Sequence, residues 1–172
     1  MPQGFLSPPG AFFCSLIDIK YLMLKDDRHS GGRRDSGKAM SVYQIMYISS
    51  VTGTITADQC AAIARASAIS NRADGVTGLL LFNGKRFLQV LEGPREAVDR
   101  VYQRIARDGR HAALVKLREQ MVDAREFGEW AMAFDNPADP SDRLRDKVAA
   151  LVEQAGPSTR AHFIGSAQMH RA

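Results

Sequence analysis

Residues 76–93 have the sequence VTGLLLFNGKRFLQVLEG, in which two apolar runs flank the tripeptide Asn83-Gly84-Lys85. Asn-Gly between two strand-like runs is a strong hairpin signal, because both residues tolerate a positive φ. The pattern therefore predicts two antiparallel strands, at 76–82 and 86–92, joined by a tight turn. The rest of the fold is built outward from this hairpin.

Two elements are predicted before the hairpin. Residues 43–49 (YQIMYIS) have strand composition. Thr56 and Gln59 have the spacing of a capping box, which opens a helix that we expect to extend to about Asn71. The N-terminal half of the domain is therefore predicted to be a strand followed by a helix.

Three elements are predicted directly after the hairpin. Pro94 takes the first turn of a second helix, which ends before Gly109. Strands follow at 112–122 and 130–134. The resulting order βαββαββ predicts an α+β fold of the ferredoxin-like type, with both crossover helices on one face of the sheet.

The C-terminal part supplies a cover for the other face of the sheet, which is costly to leave in water. The apolar residues of that face are Met46, Ile48, Leu88 and Val90. A helix capped by Ser141 is predicted to end at Gly156-Pro157, and residues 158–172 are expected to fray. Its apolar stripe is formed by Leu144, Val148, Leu151 and Val152. This stripe is the first candidate for the cover, and a homodimer interface is the second.

The chain divides into three regions. Residues 1–40 combine a Pro/Gly opening, an apolar patch interrupted by Asp18 and Lys20, and a polar stretch with paired glycines. We expect a disordered or leader extension there, because the patch lacks the basic start of a signal peptide. Residues 41–136 are expected to form the folded domain. Residues 137–172 are expected to form a C-terminal helix and tail, as an output or dimer element.

Composition argues against several classes of function. The 23 Lys and Arg and 19 Asp and Glu form no basic cluster, which argues against nucleic-acid binding. No run of about 18 apolar residues occurs, so no membrane span is expected. The two cysteines fit a reducing, cytoplasmic location, and the four histidines lack metal-ligand spacing. Without a dinucleotide fingerprint, P-loop or nucleophile elbow, we expect neither an enzyme nor a metal site.

Three polar residues occupy positions that the pattern marks as buried. Gln89 lies mid-strand between Phe87 and Leu91, and a buried amide must bind either a structural neighbour or a ligand. Tyr47 lies on the strand that this fold places beside it, so phenol and amide can form a pair. Asn71 falls at the end of the first helix, where a C-cap role is a sufficient explanation. Together the three predict a pocket between the helices for a flat heterocycle.

Four separated segments form a recognisable set: NRADGVTGLLLFNGKRFLQVLEGP (71–94), IMYIS (45–49), DGRH (108–111) and FGEWAMAF (127–134). In these segments the sequence resembles the BLUF domains, the family of blue-light sensors using FAD. It extends over about residues 41–135 and rests on several separated motifs in the right order. The spacing from Tyr47 to Asn71, Gln89, Trp130 and Met132 also matches the family pattern.

The resemblance implies a role for each matching residue. Tyr47 would be the photoactive tyrosine, and Gln89 would bridge its hydroxyl to N5 and C4=O of the flavin. Asn71 would bind the pyrimidine edge, and Ser70 stands where the family often carries a longer polar side chain. The implied cofactor contacts are completed by Trp130 and Met132 on the fifth strand, and by Arg104 and Arg110 near the ribityl-phosphate part, with Asp108 orienting one arginine.

The resemblance also implies an activity. Light would drive an electron and a proton from Tyr47 through Gln89, whose amide then reorients or tautomerises and shifts the absorption to the red. FAD is the expected cofactor, with FMN or riboflavin as alternatives. The signal would pass over Met132 or Trp130 to the C-terminal helix and, through a homo-oligomer, to a separate downstream protein. The alternative is a ferredoxin-like regulatory module that binds a ligand without photochemistry.

Overall fold

The computed structural model describes residues 41–134 and 142–169. Within these ranges the chain forms β1 Val42–Val51, α1 Ala57–Ala73, β2 Thr77–Phe82, β3 Arg86–Gly93, α2 Arg95–Ala106, β4 His111–Val122, β5 Trp130–Phe134, α3 Asp142–Leu151 and α4 Pro157–Gln168. The predicted βαββαββ order is confirmed, with two helices after it. The expected extension at 1–40 lies outside the described residues.

The five strands form one sheet in the order β4-β1-β3-β2-β5. All neighbours are antiparallel except β2 and β5, which are parallel. The central hairpin pairs from Thr77 with Glu92 to Phe82 with Phe87, as the sequence predicts. The chain thus has the ferredoxin-like α+β fold, with β5 added beside β2.

The hairpin turn lies one residue further along than the Asn-Gly pair suggests. The amide of Asn83 donates to the carbonyl of Arg86 at 3.2 Å, so Gly84 and Lys85 are the central residues. Only Gly84 has a positive φ in the turn, at 85°. Asn83 instead accepts hydrogen bonds on its side chain from the amides of Lys85 and Arg86, at 3.2 and 2.9 Å. A short polar side chain therefore stabilises the turn that the glycine permits.

The helices α1 and α2 both lie on one face of the sheet, as predicted. The capping box of α1 is present: Thr56 accepts from the amide of Gln59, and Gln59 accepts from the amide of Thr56 at 2.8 Å. Helix α2 ends at Arg107 in an ordinary helical conformation, so no left-handed glycine stops it at Gly109. The hydrogen bonds of the last turn suffice for this end.

Helices α3 and α4 cover the other face. Leu144, Val148 and Val152 are buried against it, whereas Leu151 is 40% exposed and was wrongly placed in the stripe. The expectation of frayed residues after 157 is also wrong, because Pro157 is the first residue of α4, and α3 already ends at Leu151, before the predicted end at Gly156-Pro157. Phe163 of α4 is fully buried in the same cluster. The predicted cap Ser141 lies outside the described residues.

Within residues 41–134 and 142–169, no helix is both long enough and apolar enough to cross a bilayer.

Candidate functional site

Helices α1 and α2 lie on either side of the middle of the sheet face that they cover. Helix α2 packs mainly on β1, β3 and β4, and α1 packs on β5. Because the strand order is β4-β1-β3-β2-β5, the line between the helices runs above β3 and β2. The predicted site residues can therefore be placed by strand register.

One row of paired residues crosses the whole sheet on this face. It runs through Lys116, Tyr47, Gln89, Leu80 and Met132, one from each strand. The next row along contains Ile45, Leu91, Gly78 and Trp130. Side chains two residues apart share a face of a strand, so Trp130 and Met132 lie on the face that carries Tyr47 and Gln89.

Tyr47 and Gln89 form a direct hydrogen bond in the sheet interior. They are register partners on β1 and β3, and the Tyr47 hydroxyl donates to Oε1 of Gln89. Tyr47 is fully buried and Gln89 is 4% exposed. The predicted phenol–amide pair is thus present. The amide nitrogen of Gln89 has no hydrogen-bond partner among the described residues.

The environment of Tyr47 keeps its hydroxyl protonated. Burial raises the pKa of Tyr47 well above its ordinary value of 10, with smaller contributions from Tyr102 and Asp108. The Tyr102 ring meets the Tyr47 ring edge-on, with centroids 5.4 Å apart. The Lys116 ammonium lies 5.0 Å from the Tyr102 ring centroid. Sequence reasoning placed Tyr102 only on the buried stripe of α2, because nothing in the sequence shows which ring it meets.

Asn71 is inside the last turn of α1, not at its cap. The helix continues to Ala73 with Asp74 as the C-cap, so the C-cap explanation for Asn71 is wrong. Cys60 and Asn71 are the buried residues of α1, and eleven residues make three turns, which puts both on the side toward the sheet. The Asn71 carbonyl accepts from the amide of Val76 at 2.8 Å, while its side chain has no partner in the described ranges. Its neighbour Ser70 is half-buried.

Trp130 and Met132 line the β5 side of this face and are half-buried. Trp130 pairs with Gly78, where a Cβ would come within 2.1 Å of the Val90 carbonyl oxygen. The missing side chain leaves room for the strands to approach closely. The indole Nε1 of Trp130 is buried without a hydrogen-bond partner in the part of the chain that the structure describes.

The two predicted arginines bind different carboxylates. Arg104 lies 3.8 Å from Oδ2 of Asp74, which links α2 to the end of α1. Arg110 donates through Nε to Asp108 at 2.9 Å. Burial alone would raise the pKa of Asp108, but the hydrogen bonds from Arg110 outweigh it and lower the pKa. Asp74 was not singled out in the sequence, because its partners come from another helix.

His111 is a further residue on this face that the sequence did not identify. Its Nδ1 lies 2.8 Å from the Ser49 hydroxyl, and its ring centroid is 4.4 Å from that of Phe87. Burial lowers the pKa of His111, Arg110 acts in the same direction, and Asp108 opposes them. Only its place in the DGRH segment could have pointed to it.

The unpaired polar groups on this face fit an aromatic heterocycle. The Gln89 amide nitrogen, the Asn71 side chain and the Trp130 indole all lack partners within residues 41–134 and 142–169. The indole Nε1 is fully buried, where a donor without a partner costs free energy, and a ligand edge with nitrogen and oxygen acceptors would satisfy both it and the Gln89 nitrogen. An isoalloxazine ring has such an edge. The residues present therefore fit a flavin.

Comparison with known families identifies the class of protein. The family model described as "Sensors of blue-light using FAD", named BLUF, matches residues 42–133. This match spans more than half of the 172 residues. The chain therefore belongs to the BLUF family of blue-light sensors.

Individual relatives agree with the family. The chain is 47% identical over 62 residues to the blue light- and temperature-regulated antirepressor BluF of Escherichia coli, covering 36% of this chain and 15% of that protein. It is 33% identical over 108 residues to the photoactivated adenylate cyclase subunit beta of Euglena gracilis, covering 60% and 12%. The chain thus spans well under a quarter of the length of either relative.

Solved structures give the same answer for the fold. The dark-state structure of the BLUF protein BlrB has a TM-score of 0.54 and 29% identity, over 76% of this chain and 93% of that one. The structure described as BlrP1 BLUF has a TM-score of 0.57 and 26% identity, over 70% and 82%. Both are sensor domains of the same architecture.

Proposed function

We propose that this chain senses blue light through FAD bound between α1 and α2, with Tyr47 and Gln89 as the residues that carry the photochemistry. The observation that supports this most strongly is the hydrogen bond from the Tyr47 hydroxyl to Gln89 inside the sheet. Any fully buried tyrosine hydroxyl needs a hydrogen-bond partner, so the support lies in the kind of partner: an amide can accept from Tyr47 and donate to a ligand at the same time. Here the amide also keeps its nitrogen available for a further partner.

When bound, oxidised flavin supplies light absorption and an excited state that is a strong oxidant. Tyr47 would give up one electron, and its hydroxyl proton would pass to the Gln89 side chain, with which it already shares a hydrogen bond. The raised pKa of Tyr47 keeps that proton in place in the dark. When electron and proton return to Tyr47, Gln89 is left with a rearranged amide, whose new hydrogen bonding changes the absorption.

The remaining predicted contacts form part of the proposal. Asn71 and Ser70 would meet the cofactor from α1, and Trp130 and Met132 would meet it from β5. Arg104 and Arg110 would interact with its ribityl-phosphate part. The family description names FAD, which favours FAD over FMN or riboflavin.

The output of the sensor is proposed to act on another protein rather than through catalysis by this chain. One relative is named an antirepressor and another an adenylate cyclase subunit, so an effector protein or domain is the expected recipient. A homo-oligomer is also proposed. Its support is the edge strand β4, on which Val115 is 53% and Met121 52% exposed.

The Tyr47→Phe variant tests the proposed photochemistry. We expect the purified protein to bind flavin and to lose the normal, reversible red shift under blue light, because phenylalanine fills the same space without the hydroxyl. The matched control is Tyr43→Phe on the same strand and face, whose hydroxyl donates to Glu119 at 2.7 Å away from Gln89. That variant should cycle like the unaltered protein. A normal light response in Tyr47→Phe would contradict the assignment of Tyr47 as the donor.

A further inference from the structure

The sheet face opposite the flavin site contains a buried polar cluster, in which Gln44, Glu92 and Thr159 are buried and Arg118 and Glu126 are half-buried. At its centre the fully buried Glu92 accepts a hydrogen bond from Nε2 of Gln44 at 2.8 Å. Its carboxylate also accepts from the main-chain amides of Glu126 and Phe127, at 3.0 and 3.1 Å. Glu92 therefore fixes the segment between β4 and β5 to the sheet.

Glu126 extends this cluster to helix α4. Its carboxylate accepts from the Thr159 hydroxyl at 2.7 Å and from the Gly156 amide at 3.2 Å. Gly156 is the N-cap of α4 and has no side chain with which to cap it. The Glu126 carboxylate, from a distant segment of the chain, thus caps α4 by accepting a hydrogen bond from a free amide at the positive end of the helix.

Arg118 connects the same group to the sheet. Its Nη2 donates to Oε1 of Gln44 at 2.7 Å and to the Thr159 hydroxyl at 2.6 Å. It also lies 4.0 Å from Glu126. Because β1, β3, β4 and α4 all contribute, a shift of the Glu126 segment must either break these hydrogen bonds or move α4 with it.

The Glu126 segment leads directly into the flavin side of the sheet. Trp130 begins β5 four residues after Glu126 and lies on the face of Tyr47 and Gln89. Between them, the Glu129 carbonyl accepts from the Gly78 amide at 3.4 Å. The segment is thus attached to the sheet at both ends, to the Glu92 side chain on the α3/α4 face and to the main chain of β2 at Gly78.

We propose that Glu126 is a positioning residue for the light signal, which couples the state of β5 to helix α4 through the buried polar cluster. The inference rests on the proposed function of Tyr47 and Gln89. It differs from the route that sequence adjacency suggests, from β5 along the chain to α3. The coupling instead runs from β5 toward the N-terminus, through the segment between β4 and β5, and from Glu126 to the start of α4.

Glu126→Gln and Thr159→Val test this coupling. The first removes the negative charge and turns one of two acceptor oxygens, which bind the Gly156 amide and the Thr159 hydroxyl, into a donor, and the second removes the hydroxyl that both partners use. The matched control is Glu129→Gln on the same segment, an exposed carboxylate 3.9 Å from Arg72 and remote from α4. Thr159→Ser keeps the hydroxyl and serves as the rescue. Circular dichroism and thermal melting show whether each variant is folded.

Two quantities are measured on each flavin-loaded protein: the red shift, and hydrogen exchange of amides 156–168 in darkness and in light. In darkness we expect exchange at the start of α4 to be about tenfold faster in Glu126→Gln than in Glu129→Gln, since one hydrogen bond is lost. In light, the unaltered chain, Glu129→Gln and Thr159→Ser should change their α4 exchange. Glu126→Gln and Thr159→Val should keep the red shift and lose that change.

The outcomes distinguish a failure of the proposed function from a failure of the Glu126 coupling. A folded, flavin-loaded chain without any red shift would overturn the proposed function and the coupling with it. A normal red shift would leave the proposed function standing. If α4 exchange is then unaffected by light, or responds equally in Glu126→Gln and Glu129→Gln, the coupling alone is overturned.

Discussion

The two faces of the sheet bury polar groups in different ways. On the face covered by α3 and α4, each member of the buried polar cluster has protein partners, and Arg118 Nε is the one buried atom of the cluster without a partner in the described ranges. On the face under α1 and α2, the side chains of Gln89, Asn71 and Trp130 keep groups without protein partners. The first face therefore satisfies its polar groups within the protein except for that one atom, whereas the second leaves polar groups that a ligand can satisfy.

The apolar packing differs in the same sense. The α3/α4 face forms a closed cluster in which Val148, Val152 and Phe163 are fully buried. On the other face, α1 buries only Cys60 and Asn71 of its 17 residues. Helix α2 on that face is well packed, with Ala97, Val98 and Val101 buried against the sheet, so the loosely packed element is α1. Substitutions on the α3/α4 face and on α1 should therefore separate stability from flavin binding.

The largest effect is expected from Phe163→Ala on the closed face. Removing a fully buried ring leaves a cavity, which should lower the free energy of unfolding by about 3–5 kcal/mol. Urea denaturation monitored by circular dichroism measures this loss. Below its melting transition the variant should still bind flavin, because Phe163 lies on the opposite side of the sheet.

Met169→Ala is the control for that prediction. Met169 belongs to the end of the same helix and is 60% exposed, so its truncation should change stability by less than about 0.5 kcal/mol. Equal stability losses in the two variants would show that α4 is not packed as the closed face requires.

The contrast between the faces also explains what the sequence could predict. The hairpin, the capping box of α1 and the bounds of β5 follow from signals a few residues long, and all three are confirmed. Helix α4 was missed because its buried residues are mostly polar or small: Thr159, Phe163, Ser166 and Ala167. Such a helix has no apolar stripe. Its burial depends on hydrogen bonds to residues far away along the chain.

Some residues of the candidate site could likewise be predicted from the sequence, and others depend on long-range contacts. The pairing of Tyr47 with Gln89 follows from strand neighbours that the fold dictates, so the residues alone could indicate it. The placement of Trp130 and Met132 came only from the family resemblance, because β5 joins the sheet beside β2 by a long-range parallel pairing. Glu126 had no sequence signal, since its partners Gly156 and Thr159 are 30 and 33 residues away.

Two buried asparagines, one on each face of the sheet, should show an effect of intermediate size on stability. Asn83 donates to the Ser166 carbonyl of α4 at 3.1 Å and accepts two turn amides, whereas the Asn71 side chain has no partner in the described ranges. Asn83→Ala should lower the free energy of unfolding by about 1–3 kcal/mol and leave flavin affinity unchanged. Asn71→Ala should change the stability of the flavin-free protein by less than about 1 kcal/mol.

Flavin titration measures the affinity of the same two variants for the cofactor. Asn71→Ala should weaken binding about tenfold, the cost of roughly one hydrogen bond to the ligand. The two variants act as controls for each other, since both remove the same side chain from a buried position. If Asn83→Ala weakens flavin binding and Asn71→Ala does not, the assignment of Asn71 to flavin binding and of Asn83 to stability is wrong.

The smallest effect is a pH dependence at the edge of the flavin face. Burial lowers the pKa of His111 below its ordinary value of 6.5, so near that pH the unfolded chain binds more protons than the folded one. Stability from neutral His111 is therefore complete above the ordinary pKa and is lost as the pH falls through the folded one. Asp108, whose pKa is lowered from 3.8, stays ionised across this range and does not add to the slope.

His111→Asn tests that slope, because asparagine can keep a hydrogen bond to Ser49 without titrating. The unaltered chain should be less stable to urea at about pH 5.5 than at about pH 8, and the variant should show a smaller difference. His162→Asn removes an exposed histidine on α4 and should keep the full difference. A slope that disappears in His162→Asn and persists in His111→Asn would contradict the assignment of the pH dependence to His111.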